Sequence, residues 1–248
     1  MLSDPLFLFT ACLAVILIGF AKGGFSGLGS LATPLLALAC GPLQAAAILL
    51  PVLIVGDVVS VWSFRHSWNR RIVAIMLPGA LLGVGIGWAI AASLPVAAIM
   101  AALGIISIAF GAWRLWIERG GAVPAPARSS PIVGAAFGVA TGFTSQIAHA
   151  GGPPFQMWVS PQRLPHTEFV GTSAVLFAII NWAKVPAYVA LGEFSSVNLT
   201  ISAALIPLAL LSTLAGVWFI RRMRGDKFYT LVYILMIGLG GKLLIDAF

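Results

Sequence analysis

An all-α polytopic membrane protein is the fold class this sequence predicts, and three observations predict it. Of the 248 residues, 60% are hydrophobic and 8% charged, against about 25% charged in an ordinary soluble domain. Apolar runs follow one another along the whole chain with only brief polar punctuation. At about 20 residues per helical span there is room for roughly eight to ten spans and no sizeable extramembrane domain. Two of the runs are broken by glycine and proline.

Taken in order, the apolar runs cover 5–21, 28–40, 43–63, 72–92, 95–117, 131–146, 165–190, 196–220 and 227–247, with a shorter segment at 153–162. The first is read as a helix rather than a removable signal, because Met1 to Pro5 holds no Lys or Arg and no small-residue cleavage site follows. Gly41-Pro42 and Leu164-Pro165 supply helix starts, and Ser93-Leu-Pro95 is brief polar punctuation. Only 121–130, with Pro124, Pro126 and Ser129-Ser130, has a linker's composition. The chain therefore divides into a first membrane repeat, 1–120, a cytoplasmic linker, 121–130, and a second repeat, 131–248. Cys12 and Cys40 lie in or at the end of apolar segments without metal-ligand or CxxC spacing, so neither a metal nor another cofactor is expected.

The formal charge is +7, but it does not point to nucleic acid. Of the 14 basic residues all but Lys22, Lys184 and Lys242 fall in loops or at loop ends, as orientation signals do on the cytoplasmic side. Placing Arg65 to Arg71, Arg114 to Arg128 and Arg221 to Lys227 on that one side requires an even number of crossings between 131 and 220. Three long runs lie there, so 147–163 must carry the chain back as well. Both termini then fall outside, and each half holds five crossing elements of opposite orientation: an inverted repeat.

The two breaks are Gly19-Phe-Ala-Lys22-Gly-Gly-Phe-Ser26-Gly-Leu-Gly-Ser30 and Thr141-Gly-Phe-Thr-Ser-Gln-Ile-Ala-His149-Ala-Gly-Gly-Pro-Pro154. Non-helical backbone survives at membrane depth only where it is buried in protein or lines a cavity. Glycine-rich turns into helix starts, at 23–30 and Gly151-Gly152, present amide donors and a positive dipole end that suit an oxyanion. Hydroxyls of Ser26, Ser30, Thr33, Thr144, Ser145 and Thr172 and the amides of Gln146 and Asn181 complete a candidate shell. Charges at membrane depth are costly and so are functional candidates. Lys22 either snorkels to the interface or faces the break, and Lys184 either snorkels outward or shares a polar face with Asn181 one turn earlier. Asp57 is a coupling or gating candidate whose plain alternative is pairing with a lysine or capping a neighbouring helix. Glu168 is the other, although it reads as solvated. His149, flanked by Ala and Gly, either binds substrate or holds freed backbone. The charges at depth lean positive, which favours an anion.

The residues resemble the sulfite exporter TauE/SafE family of small multispan anion transporters. The resemblance rests on Gly142-Phe-Thr-Ser145, His149-Ala-Gly-Gly-Pro-Pro154, Phe169-Val-Gly-Thr-Ser173 and Asn181-Trp-Ala-Lys184. In the first half Gly23-Gly-Phe-Ser-Gly-Leu-Gly-Ser30 and Pro34-Leu-Leu36 carry it. It spans essentially the whole chain and implies export of sulfite, sulfonates or related sulfur anions. The expectation is a carrier in a bacterial inner membrane with a small anion and the bilayer as partners. Protons are a possible coupling ion and a homo-oligomer a possible assembly. Proton-coupled uptake and a channel share these sequence features. A distinct class, intramembrane serine hydrolysis, would use Ser26 as nucleophile and His149 as base.

Overall fold

The structure, a computed structural model, describes residues 4–24, 28–91, 93–121, 130–220 and 227–248. Those residues are helical with short connections: α1 Pro5–Gly23, α2 Gly29–Cys40, α3 Pro42–Phe64, α4 Arg70–Ala91, α5 Val96–Glu118, α6 Pro131–Ala148, α7 Gly152–Val159, α8 His166–Ala190, α9 Ser196–Ile220 and α10 Lys227–Ala247. Ser26, residues 122–129 of the linker and the 221–226 loop lie outside the described residues. Among the described residues there is no strand. Among the described residues, seven helices, α1, α3 to α6, α8 and α9, are long and apolar enough to cross a membrane.

Local chemistry sets the helix ends. Asp4 caps α1 by accepting the Leu6 N–H at 3.0 Å, with Pro5 in the first turn where a missing N–H costs nothing. Proline opens α3 and α6 in the same way. Gly41, at φ 82°, turns the chain between α2 and α3 in a conformation that favours glycine. Asn69 caps α4 by accepting the Ile72 N–H at 3.1 Å. At ~1.5 Å per residue, α2 and α7 rise only about 18 and 12 Å, too short for the roughly 30 Å hydrocarbon core. Each of them continues a helix that stopped at a break.

Packing follows close backbone approach rather than large side chains. In α6 a Cβ placed on Gly142 would lie 1.8 Å from the Ala80 carbonyl oxygen of α4. In α1 one placed on Gly23 would lie 2.4 Å from the Gly216 backbone of α9. Small residues at such crossings let membrane helices gain van der Waals contact that lipid would otherwise supply. The helix pairs α4/α6, α5/α10, α1/α9, α3/α9, α3/α8 and α4/α8 all pack together. The largest buried cluster, with Phe7, Ile18, Leu36, Ile48, Leu49 and Leu103 in it, joins α1, α2, α3 and α5. A second, with Met76, Phe155, Trp158 and Leu176, joins α4, α7 and α8.

Candidate functional site

Both breaks are capped turns. Gly24, at φ 125°, ends α1 with its N–H returned to the Ala21 carbonyl at 3.1 Å. At the second break the His149 N–H returns to Ser145 O at 3.1 Å and the Ala150 N–H to Thr144 O at 3.2 Å, closing α6 with a paired reverse-bonded end. His149 takes the left-handed position of that turn, φ 51° and ψ 23°, which glycine usually fills. Its ring is tied down: Nε2 lies 2.8 Å from the Ala46 carbonyl of α3. A carbonyl only accepts, so the shorter contact places the proton of neutral His149 on Nε2, and Nδ1, 3.2 Å from the Ser145 carbonyl oxygen, is the nitrogen turned toward Lys184.

The two breaks meet. A Cβ built on Gly152, at the second, would sit 3.7 Å from Ser30 Oγ of the first and 3.7 Å from Gln156 Nε2. Between them lies a cavity of about 100 Å³, far above the ~10–15 Å³ that one water needs and sized for a small solute. Lys22, Ser30, Ser145, Gln156, Asn181 and Lys184 make its polar wall, and Ile18, Leu53, Phe155, Phe169 and Phe177 the apolar one. Helix α8 contributes a single stripe, Phe169, Ser173, Phe177, Asn181 and Lys184, at the three- and four-residue spacing that stacks side chains on one helical face.

The charges inside are arranged in two sets. Lys22 forms an ion pair with Asp57 Oδ1, and Asn181 Nδ2 donates to Asp57 Oδ2 at 2.6 Å, so both carboxylate oxygens are engaged. Ser60 donates to the Lys22 carbonyl at 2.7 Å, and Lys22 Nζ stands 5.8 Å from the centre of the Phe177 ring. Lys184 is wholly buried. Its Nζ donates to Ser145 O and Oγ, both at 3.2 Å, and lies 2.7 Å from His149 Nδ1. This lysine turns inward, and the snorkelling alternative does not hold for it. Its three acceptors are all uncharged.

Of the residues singled out in the sequence, Lys22, Ser30, Ser145, His149, Gly152, Asn181 and Lys184 line the cavity, while Thr33 and Thr144 are not among its lining residues. Asp57 stands directly behind Lys22, as the lysine-pairing alternative has it. Gly151 packs closely instead: a Cβ there would lie 2.7 Å from Thr141 O and 2.8 Å from the Phe177 ring. Gln146 is not among the lining residues. It is buried against α4, where a Cβ on Gly87 would meet its Cβ at 2.9 Å, and its backbone oxygen accepts the Tyr188 hydroxyl at 3.0 Å. Thr172 Oγ1 accepts the Asn69 N–H at 2.9 Å. Glu168 accepts from Asn69 Nδ2 at 2.8 Å, so it is not simply solvated: with Thr172 it fastens the α3–α4 loop to α8. Sequence reading missed Gln156, Ser173 and the three phenylalanines. The helical stripe through Asn181 and Lys184 was the signal for Ser173 and Phe177.

The sequence profile of the family described as "Sulfite exporter TauE/SafE" matches residues 11–243, nearly the whole chain and both breaks. The chain belongs to the TauE/SafE family. That family is one of membrane anion exporters, so this TauE/SafE protein is a multi-pass membrane transporter and not an enzyme. The Ser26 and His149 hydrolase alternative falls with that assignment. Neither a curated protein nor a solved structure matches this TauE/SafE chain.

Proposed function

We propose that this TauE/SafE protein is a secondary carrier that exports a small sulfur oxyanion or organosulfonate by alternating access, binding it between the two breaks. One observation carries the reading: a single solute-sized cavity is lined from both breaks and holds Lys22 and Lys184 on its polar wall. The shell comprises Lys22, Ser30, Ser145, His149, Gly152, Gln156, Asn181 and Lys184. Asp57 keeps Lys22 in place rather than relaying protons, because both of its oxygens are engaged.

The inverted repeat is supported by the helix pairing. Exchanging α1–α5 with α6–α10 in order turns the pair α1/α9 into α4/α6, α1/α2 into α6/α7, and α3/α9 into α4/α8. It returns α3/α8 and α5/α10 to themselves, and all of these pairs pack. The arginine-bearing connections follow α3, α5, α7 and α9, one side of such a repeat and the cytoplasmic side by their charge. Both termini then face outward from a bacterial inner membrane. The cavity runs along α8 from Phe169 to Lys184, and beyond it Tyr188, Gln146 and Ala46 close the outer end. This is an inward-facing arrangement of broken helices around a mid-membrane site. Moving one charge through 100 mV is worth about 2.3 kcal/mol, so an anion leaves an inside-negative cell downhill.

A thermal-shift panel of sulfite, sulfoacetate, taurine, thiosulfate and simple carboxylates on purified protein tests the reading. A solute that binds only the folded state at 100 times its Kd stabilises it by about 2.7 kcal/mol. At least one sulfur anion should raise the midpoint in wild type and none should do so in folded Lys184→Ala. No shift from any of them, or an unchanged shift in Lys184→Ala, would remove the anion site.

A further inference from the structure

The cavity's charge ledger leaves one group unbalanced. Lys22 and Asp57 cancel, while Lys184 is buried against Ser145 O, Ser145 Oγ and His149 Nδ1, none of which is an anion. His149 Nε2 is committed to the Ala46 carbonyl, so its second proton site is Nδ1, which lies 3.2 Å from Ser145 O and 2.7 Å from Lys184 Nζ. Two cations at that distance repel strongly, which favours a single charge on the pair. The remaining titratable and charged groups that face the pair are Lys22 from α1, Asp57 from α3 and Tyr188 from α8. The Tyr188 ring stacks 6.0 Å from that of His149, and its hydroxyl is spent on Gln146 O. Glu193 stands one layer further out, past Phe194, whose ring lies 6.1 Å from that of Tyr188.

We propose that Lys184 and His149 together hold one exchangeable proton, and that an anion entering the cavity binds with that proton. The inference rests on the anion-carrier reading and assigns the coupling site to this pair rather than to Asp57 or Glu168. The two nitrogens titrate as one unit. An anion beside Nζ supplies the missing counter-charge, so anion and proton each favour the binding of the other, by reciprocal linkage. The proton enters from water on the side the cavity faces and leaves with the anion on the other. A monoanion then crosses electroneutrally, driven by its own gradient and the pH difference together. A dianion carries one net negative charge, so the membrane potential still drives it outward.

Calorimetric titration of the purified full chain with sulfite, sulfoacetate and methanesulfonate tests this, in pairs of buffers that differ in ionisation enthalpy, from mildly acidic to mildly alkaline pH. For sulfite its own protonation is subtracted. Wild type should take up close to one proton per anion at the alkaline end, with affinity weakening by up to about tenfold per pH unit there. Lys184→Arg fixes the positive charge and should bind with no proton uptake and a flat pH profile. If that variant does not fold, the wild-type proton count decides. Binding to wild type without proton uptake, or uptake that persists in Lys184→Arg, overturns the proposal and leaves the anion site standing. No binding of any of the three anions takes the anion site with it.

Discussion

Lys22 and Asp57 set the cost of putting charge inside this protein. The Asp57 side chain is 2% exposed and that of Lys22 12%, and removing one partner of such a pair strands the other, at about 3–5 kcal/mol. Asp57→Asn alone should therefore destabilise the protein by that order, while Lys22→Met with Asp57→Asn should recover much of the loss. Thermal unfolding of the two variants and wild type in detergent checks it, and equal losses in the single and the double would deny the pairing. At the α8–α9 turn, burial raises the pKa of the Glu193 carboxyl above its ordinary value. The folded chain then holds that proton more firmly than the unfolded chain. The penalty on the charged form is absent below the ordinary Glu range and complete above the folded pKa. Glu193→Gln should match wild type in midpoint at acid pH and exceed it at neutral pH. A midpoint difference independent of pH would contradict this. At this scale the sequence told which residue types were out of place but not which way they pointed. Ser145 reaches the cavity one helical turn before His149, whereas Gln146, about 100° further round α6, turns to Gly87.

Helix boundaries were the most legible feature, because glycine and proline mark them through backbone sterics alone. Tertiary contact had little left to decide: the expected 131–146 and 165–190 became Pro131–Ala148 and His166–Ala190. The two breaks are less alike than their glycines suggest. Pro153 and Pro154 carry no N–H, so the first turn of α7 offers a donor only through Gly152, and side chains such as Gln156 replace the amides that α2 retains at Gly29 and Ser30. Which glycines pack was not legible, since Gly85 and Gly142 look the same in the sequence. Gly142→Ala would force a Cβ to within 1.8 Å of Ala80 O and should cost about 1–3 kcal/mol as overpacking. Gly85→Ala meets nothing within 4 Å and should be neutral or stabilise by about 0.5–1 kcal/mol. Comparing their unfolding midpoints with wild type checks both, and a Gly142→Ala as stable as Gly85→Ala would mean that α4 and α6 do not cross this closely.

At the scale of the whole molecule, the ten α-helices among the described residues place two interruptions, far apart in sequence, against one cavity. The fold class was readable because composition and periodicity report on the solvent a helix meets. The meeting of the breaks was legible as an expectation, from the two glycine-rich interruptions and from the crossings that the basic loops imply. The cavity's apolar wall was not, because phenylalanines in a membrane protein carry no sign of whether they face lipid or solute. The central claim is that Ser30, from the first break, and Ser145, from the second, border one anion site. With Cys12 and Cys40 replaced by serine, Ser30→Cys and Ser145→Cys should each react with a small thiol reagent in the purified protein. The sulfur anion that stabilises the protein should slow both reactions with the same concentration dependence. Protection of only one cysteine, or of neither, would contradict a site shared between the two breaks.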